Sequence, residues 1–305
     1  MTAILTPEDW LERRTLRSGP REARDLLDNL REANLTIDVV LFARDAATTL
    51  GRHLLTFRHG WPGGLSPFGQ ILVTDLGSTD NTVEIAEEAH ATVLLPESPR
   101  AASLAPAAPG DGLVRAMASS LADILLLVPA DLVRLDLDSV AGLLVSFCRF
   151  PSLQLAMGFQ GSGGSDASHL LARPLLSALL PELSVLADPA CPVLALRRTA
   201  FLSVPIARTS GFEPSLAVEA WRLGGLEALC QVRLPKLEWG DHCEPLDEGA
   251  AFRCTLALLE SLRRARRLST PQEMGHLASS LADAPSGGLL ARTRLDVFPW
   301  STPAS

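Results

Sequence analysis

The chain has 305 residues, with 27 basic and 35 acidic side chains and a formal net charge of −8. Hydrophobic residues make up 47% and charged residues 20%, which is typical of a protein with a large buried core. The only lysine is Lys236, and there is no long basic run. Net acidity of this kind excludes nucleic acid and anionic membranes as main partners.

Cysteine usage and hydropathy predict the compartment. The five cysteines are scattered and show no CxxC pairing, as expected for reduced thiols in the cytoplasm. The first 19 residues contain acids and lack the apolar core of a signal peptide. The most apolar stretch, residues 124–128, is far shorter than the roughly 20 residues needed to cross a bilayer. We therefore predict a soluble cytoplasmic protein.

The first half of the chain alternates between helical and strand patterns. Helices are predicted over 7–33, 46–57, 83–90 and 113–121, strands over 36–42, 71–76, 91–95 and 124–128, and a loop over 96–112. This alternation predicts an α/β fold with a mainly parallel sheet flanked by helices.

The second half is less regular. Strands are predicted over 153–159, 193–196 and 228–234, helices over 170–180, 214–223 and 250–267, and a flexible loop over 160–167. The last helix ends in four arginines, Arg263, Arg264, Arg266 and Arg267, which we interpret as a solvated face at a helix C-terminus.

Carboxylates follow the predicted strands of the first half. Asp45 comes after the first strand, Asp75 ends the second within VTDLGSTDNT, and Asp131 follows the apolar run LLVPA. Ligands of parallel sheets bind beyond the carboxyl ends of the strands. A nucleotide or a divalent metal could use these acids. Two structural roles stay open: a capped strand–turn–helix junction at Asp75, and a turn or helix cap at Asp131.

The alternation and these strand ends resemble the GT-A glycosyltransferases. Several segments then resemble, in order, the glucosyl-3-phosphoglycerate synthases. They are Val39–Leu41 with Asp45, Thr49 and Gly51, DLGSTDNT at 75–82, ARPLLSALLPEL at 172–183, SVP at 203–205, Gly211 with Glu213, and RLGGLEALCQV at 222–232. The resemblance implies a GT-A fold, a homodimer, and sugar transfer from a UDP- or GDP-sugar to a small-molecule acceptor with Mg²⁺ or Mn²⁺.

The resemblance also implies a division of the chain. It gives an N-terminal helical extension (1–34), a nucleotide-sugar-binding half (35–135), an acceptor-binding half (136–248), and a C-terminal helix and tail (249–305). The donor nucleotide would contact Asp45, Asp75, Ser78 and Asp131, and the metal would bind Asp131 and His242. Ser168, Gly211 and Glu213 would bind the acceptor, with Glu213 as the catalytic residue.

Some positions depart from the family pattern. Pro129 stands at the first acid of the family's Asp-x-Asp motif, Asp111 at its diphosphate-facing lysine, and Asp166 at its acceptor arginine. Two hypotheses follow: a glycosyltransferase with an altered acceptor, or a catalytically inactive homologue with a binding or regulatory role. A sugar nucleotidyltransferase would need a glycine-rich phosphate loop, and residues 42–47 contain no glycine.

Overall fold

The computed structural model describes residues 6–17, 19–96, 108–161, 165–208, 211–240 and 248–267. The helices are α1 (Pro7–Arg14), α2 (Pro20–Ala33), α3 (Leu50–His59), α4 (Thr82–Glu88), α5 (Pro109–Ser119), α6 (Leu137–Arg149), α7 (Arg173–Leu179), α8 (Arg198–Phe201), α9 (Phe212–Gly224) and α10 (Glu248–Arg264). A π-helical turn, Ala167–Ala172, leads into α7. Short 3₁₀ turns cover Pro62–Gly64, Pro181–Val185 and Gly225–Ala228.

Eight strands form a single sheet. They are β1 (Thr15–Leu16), β2 (Ile37–Ala43), β3 (Ile71–Asp75), β4 (Thr92–Leu94), β5 (Ile124–Pro129), β6 (Leu155–Gln160), β7 (Leu194–Arg197) and β8 (Leu229–Leu234). Their spatial order is β1-β8-β6-β7-β5-β2-β3-β4. Only β7 runs antiparallel to its neighbours, β5 and β6. The prediction of a mainly parallel sheet flanked by helices is confirmed.

The sheet centre is dry because its strands carry apolar side chains on both faces. Ile124–Val128 of β5 is fully buried, as is Val39–Leu41 of the adjacent β2. Strands buried on both faces read as continuous apolar runs, which is why both strands were predictable from sequence. Helix α2 packs against α6, and α6 in turn packs against β6, β7 and β8.

The predicted helix over 7–33 is wrong as one element. Helix α1 ends at Arg14, Thr15 and Leu16 pair with β8, and α2 starts at Pro20. Proline is favoured at a helix start because it has no N–H to donate. The Gly19 N–H bonds the Glu22 carboxylate at 2.9 Å, which caps the new helix.

Two other helices begin at residues that differ from the predicted ones, for physical reasons. Helix α3 starts at Leu50, four residues later than predicted, because the backbone N–H groups of Ala46 and Ala47 bond side chains of a neighbouring turn. Helix α5 starts at Pro109, inside the predicted loop, again with proline in the first turn.

The arginines at the end of α10 do not form a purely solvated face. Arg264 bonds the buried carboxylate of Glu219 on α9 at 2.8 Å, and Arg267 pairs with Glu182. The guanidinium of Arg267 also lies 4.8 Å from the ring centre of Trp221. These arginines attach α10 to the rest of the molecule, so the interpretation of a solvated face is wrong for both.

Among the described helices, none is long and apolar enough to cross a membrane.

Candidate active site

Three strands end side by side and bring the predicted acids to one edge of the sheet. Ala43 of β2 pairs with Asp75 of β3, and Phe42 pairs with Pro129 of β5. Because all three strands are parallel, Asp45, Asp75 and Asp131 emerge at the same carboxyl edge. This is the position at which parallel sheets bind their ligands.

The residues after β2 and β3 form two interlocked turns, 44–47 and 76–82, which we name the β2–β3 turns. The Asp45 N–H donates to Ser78 Oγ at 3.0 Å, and the Asp45 carboxylate accepts from the Thr79 N–H at 2.7 Å. Asp45 has a φ of +48°, a conformation that only a few non-glycine residues adopt. The predicted donor-binding residues Asp45 and Ser78 therefore hold each other in place.

Asp75 uses its carboxylate to hold its own loop. One oxygen accepts from the Gly77 N–H at 3.0 Å and the other from the Ser78 N–H at 3.1 Å. Its backbone carbonyl accepts from Arg115 of α5 at 3.1 Å. The side chain is almost completely buried. A carboxylate has about four acceptor positions, so capacity for a ligand remains, although little of the group is exposed.

The capped strand–turn–helix junction predicted at Asp75 is present, but the residue in the N-cap position does not provide the cap. The N-cap residue of α4, Asn81, makes no side-chain cap bond, whereas Asp80 accepts from the Thr82 N–H at 3.0 Å and from the Ala47 N–H at 3.0 Å. Thr82 Oγ1 accepts from the Ala46 N–H at 2.8 Å. Burial opposes ionisation of Asp80, but hydrogen bonds from Thr82 and Ala47 outweigh it and lower the pKa of this carboxyl. Both structural and ligand-binding roles thus remain available to this junction.

Asp131 has no comparable set of partners. Its carboxylate bonds no other residue within the described ranges, and burial raises its pKa. The backbone around it is nevertheless fixed. Thr49 Oγ1 donates to the Ala130 carbonyl at 2.6 Å, His53 Nε2 lies 2.6 Å from the Leu132 carbonyl oxygen, and the Gly240 N–H donates to the Asp131 carbonyl at 2.8 Å. Asp131 is therefore a half-buried carboxylate held at a fixed position, and it does not act as a cap.

The donor set for a divalent metal is incomplete among the residues the structure describes. These residues include no group of three histidine, cysteine or acidic side chains that could hold an ion. Pro129, two residues before Asp131, has no side-chain ligand to offer. The predicted second ligand, His242, lies outside the described residues. Asp131 alone does not make a metal site.

Helix α5 begins at the same edge, with an ion pair in its first turn. Asp111 pairs with Arg208, which lies in the segment before α9. The two segments touch closely at the neighbouring residue, since a Cβ on Gly110 would lie 1.8 Å from the Ala207 carbonyl oxygen. The acid at position 111 is therefore neutralised by a cation that the sequence did not place there.

Two of the predicted acceptor residues interact with Asp188, a residue that the sequence analysis missed: Ser168 by a hydrogen bond and Glu213 by its charge, while Gly211 lies against Cys254 beside them. We name Ser168, Asp188, Cys191, Gly211, Glu213 and Cys254 the Asp188 cluster. The Ser168 hydroxyl donates to Asp188 and accepts from the Ala190 N–H at 2.9 Å. The only signal for Asp188 in the sequence is one acid within an otherwise apolar stretch, 185–196.

Charge and burial act together on Glu213, at the start of α9. Burial and the negative charge of Asp188 raise the pKa of Glu213 to about 7. Burial also raises the pKa of Asp188 and of Cys191, and it raises that of Cys254 to about 12. A carboxyl group that titrates near neutral pH can hold or release a proton under ordinary conditions.

An aromatic contact joins the cluster to the strand-end acids. The rings of Phe42, at the end of β2, and Phe212, between Gly211 and Glu213, lie 5.8 Å apart. Cys191 precedes β7, whose first residue, Leu194, pairs with Leu127 near the end of β5. The β2–β3 turns, Asp131 and the Asp188 cluster therefore lie along one edge of the sheet.

A mainly parallel sheet with acids at the ends of its central strands is the arrangement found in GT-A glycosyltransferases, and solved structures support this fold. A crystal structure of glucosyl-3-phosphoglycerate synthase from Mycobacterium tuberculosis, in complex with Mn²⁺, UDP-glucose and phosphoglyceric acid, has a TM-score of 0.67 at 29% identity, covering 79% of this chain and 83% of that one. Mannosyl-3-phosphoglycerate synthase from Rubrobacter xylanophilus has a TM-score of 0.75 at 24% identity, covering 87% and 85%, and supports the fold alone.

Sequence comparison identifies the family. A glucosyl-3-phosphoglycerate synthase from Mycolicibacterium paratuberculosis is 34% identical over 279 residues, covering 84% of this chain and 79% of that protein. Another, from Mycolicibacterium smegmatis, is 33% identical over 216 residues, covering 67% and 70%. The chain belongs to the glucosyl-3-phosphoglycerate synthase family. No protein-family model matches it.

Proposed function

We propose that this protein transfers a hexose from a nucleotide-sugar, UDP-linked or GDP-linked, to a small acceptor that differs from 3-phosphoglycerate. The observation that carries the proposal is Asp131, a half-buried carboxylate held at the end of β5 with no hydrogen bond to another described residue. Only its own backbone N–H bonds this carboxylate, and partial burial disfavours its charge, so a ligand at this edge that is cationic or donates a hydrogen bond would be favoured. Relatives crystallised with UDP-glucose support the donor class.

In this proposal the nucleotide lies over the β2–β3 turns, contacting Asp45, Asp75 and Ser78. Each of these groups keeps bonding capacity, because a carboxylate accepts more than two hydrogen bonds and the Ser78 hydroxyl still has a proton to donate. Mn²⁺ appears in the relatives' complexes, and Mg²⁺ is the other candidate. Since the described residues offer only Asp131, we assign no step to a metal, and His242 remains the proposed second ligand.

Glu213 is the proposed catalytic residue. The acceptor oxygen would form a bond to the anomeric carbon of the sugar while the bond from that carbon to the diphosphate breaks, its electron pair leaving with the diphosphate. The proton of the acceptor hydroxyl would pass to Glu213. A pKa of about 7 suits this role, because general acid–base groups work best when they titrate near the operating pH.

The competing proposal is an inactive homologue that binds a partner or ligand. Two observations favour it. Asp131 is a single carboxylate where a metal site needs several ligands. Asp111 pairs with Arg208, so the first turn of α5 carries no net positive charge. The predicted homodimer, the cytoplasmic location and the four chain segments also remain proposals.

The deciding experiment is calorimetric titration of the full chain with UDP-glucose and GDP-glucose, with and without Mn²⁺, followed by a transfer assay. We expect binding of one donor, and we expect Asp131→Ala to lower transfer by about 100-fold, at the upper end of effects seen when metal-site groups are removed. Asp28→Ala, on the exposed face of α2, is the matched control. Lack of binding to either donor would reject the transferase, and donor binding without transfer to any acceptor would favour the inactive homologue.

A further inference from the structure

The Asp188 cluster contains a buried carboxylate with an unmet hydrogen bond. Asp188 is 2% exposed and Ser168 is fully buried. The Asp188 carboxylate accepts from Ser168, and a backbone hydrogen bond from Ser165 also favours its charged form, but Oδ2 itself meets no partner at hydrogen-bond distance among the described residues. A buried polar atom without a partner costs about 1–3 kcal/mol, so a ligand that donates a hydrogen bond to it would be favoured.

The charges around this oxygen disfavour an anionic ligand. Glu213 adds a second carboxyl group close enough to interact with Asp188. The side chains that favour the charged form of Asp188 from outside the cluster, His169 and Arg173, are both exposed. Solvent screens exposed charges far more than buried ones, so the electrostatic potential inside the cluster stays negative. A phosphate placed here would meet two carboxyl groups and no buried cation among the described residues.

We infer that the Asp188 cluster binds an uncharged hydroxyl group of the acceptor, which makes the acceptor a neutral polyol or sugar with no phosphate at this end. The hydroxyl donates to Asp188 Oδ2, and Glu213 lies beside it. This inference rests on the proposed transferase function and specifies its acceptor class.

Three acceptors with one carbon skeleton test the inference: glycerol, glycerate and 3-phosphoglycerate. The full chain is incubated with radiolabelled donor sugar and Mn²⁺, and the initial rate of transfer is measured at equal acceptor concentration. We expect the rate to fall in that order, by about tenfold from first to last, because each added anionic group meets the acidic cluster. A rate with 3-phosphoglycerate equal to or above that with glycerol, including no transfer to either, overturns the inference.

Variants test whether Asp188 causes the preference for a neutral acceptor. Asp188→Asn keeps the side-chain volume and removes the charge, so we expect the glycerol to 3-phosphoglycerate rate ratio to fall about fivefold with donor affinity unchanged. If this variant does not fold, Asp188→Ser removes the same charge with a smaller side chain and is read through the same ratio. Asp28→Asn is the control and should leave the ratio unchanged. An unchanged ratio in the folded variant contradicts the assignment. Loss of donor binding by the wild-type chain instead points to failure of the transferase proposal itself.

Discussion

The β2–β3 turns and the Asp188 cluster both place acids at one edge of the sheet, but they use them in opposite ways. In the turns, Asp75 and Asp80 accept hydrogen bonds from backbone N–H groups, and the pKa of Asp80 is lowered. In the cluster, burial raises the pKa of both Asp188 and Glu213, and one Asp188 oxygen lacks a partner. The acids of the turns therefore stabilise the local backbone, whereas the acids of the cluster favour binding of a ligand or of a proton.

The largest expected effect tests how the cluster is held together. Gly211 has a φ of +83°, and a Cβ there would lie 2.3 Å from Cys254 Sγ on α10. We expect Gly211→Ala to reduce the free energy of unfolding by about 3 kcal/mol or more, combining backbone strain with overpacking. Urea denaturation measures the loss.

Gly63→Ala is the matched control for that variant. Gly63 has a φ of +80°, and its Cβ would meet nothing within 4 Å. It should lose only the backbone contribution, about 1 kcal/mol. Equal losses in the two variants would show that packing against α10 does not hold the cluster.

The second prediction tests the turns. Thr82 Oγ1 accepts from the Ala46 N–H at 2.8 Å and donates to Asp80. Thr82→Val keeps the shape and removes both bonds at a fully buried position, so we expect a loss of about 2 kcal/mol in the free energy of unfolding. Thr79→Val, at an exposed position that bonds Asp45, should cost less than about 1 kcal/mol. If both variants cost the same, hydrogen bonding inside the turns is not what fixes them.

The sequence predicted one of these regions better than the other for a physical reason. The β2–β3 turns follow directly from strands with continuous apolar runs, so their place in the fold could be predicted from local pattern. Asp188 acquires its role from Ser168, 20 residues earlier in the chain, and Glu219 from Arg264, 45 residues later. No local pattern reports such contacts. Strand β1, only two residues long, was missed for the same reason, since it exists only by pairing with β8.

The third prediction tests the proton balance of the cluster. Burial and the charge of Asp188 raise the pKa of Glu213 to about 7 in the folded protein, against about 4.3 in an unfolded chain. An acid with a raised pKa stabilises the folded state fully below its unfolded pKa, and this stabilisation is lost as the pH rises through about 7. The neighbouring thiols of Cys191 and Cys254 stay protonated over this range because their pKa values are raised.

We therefore expect the wild-type protein to lose about 2 kcal/mol of stability between about pH 5.5 and pH 8, compared with Glu213→Gln. Urea denaturation of both proteins at the two pH values measures this difference. Glu12→Gln, at an exposed position on α1, should follow the wild type. Parallel pH profiles for wild type and Glu213→Gln would mean that Glu213 is solvated and that the contrast with the turns is wrong.

The smallest expected effect concerns the ion pair that connects the two regions. Asp111 lies in the first turn of α5, which contacts the carbonyl of Asp75 through Arg115, while Arg208 precedes the segment that carries Gly211 and Glu213. The Arg208 side chain is 72% exposed, and exposed ion pairs contribute less than about 1 kcal/mol. Arg208→Ala should therefore leave the fold intact and weaken nucleotide-sugar binding by about fivefold or less at low salt, because an unpaired Asp111 would repel the diphosphate.

The same change should have little effect at high salt, since screening reduces the interaction of exposed charges. Titrating UDP-glucose into both proteins at low and high ionic strength measures this. The double change Arg208→Ala with Asp111→Ala is the control, because it removes the repelling acid as well and should restore affinity. An affinity loss that persists in the double variant would mean that Arg208 contacts the donor itself. The cation would then belong to the binding site, and the proposed separation between a nucleotide site at the turns and an acceptor site at the cluster would no longer hold at this contact.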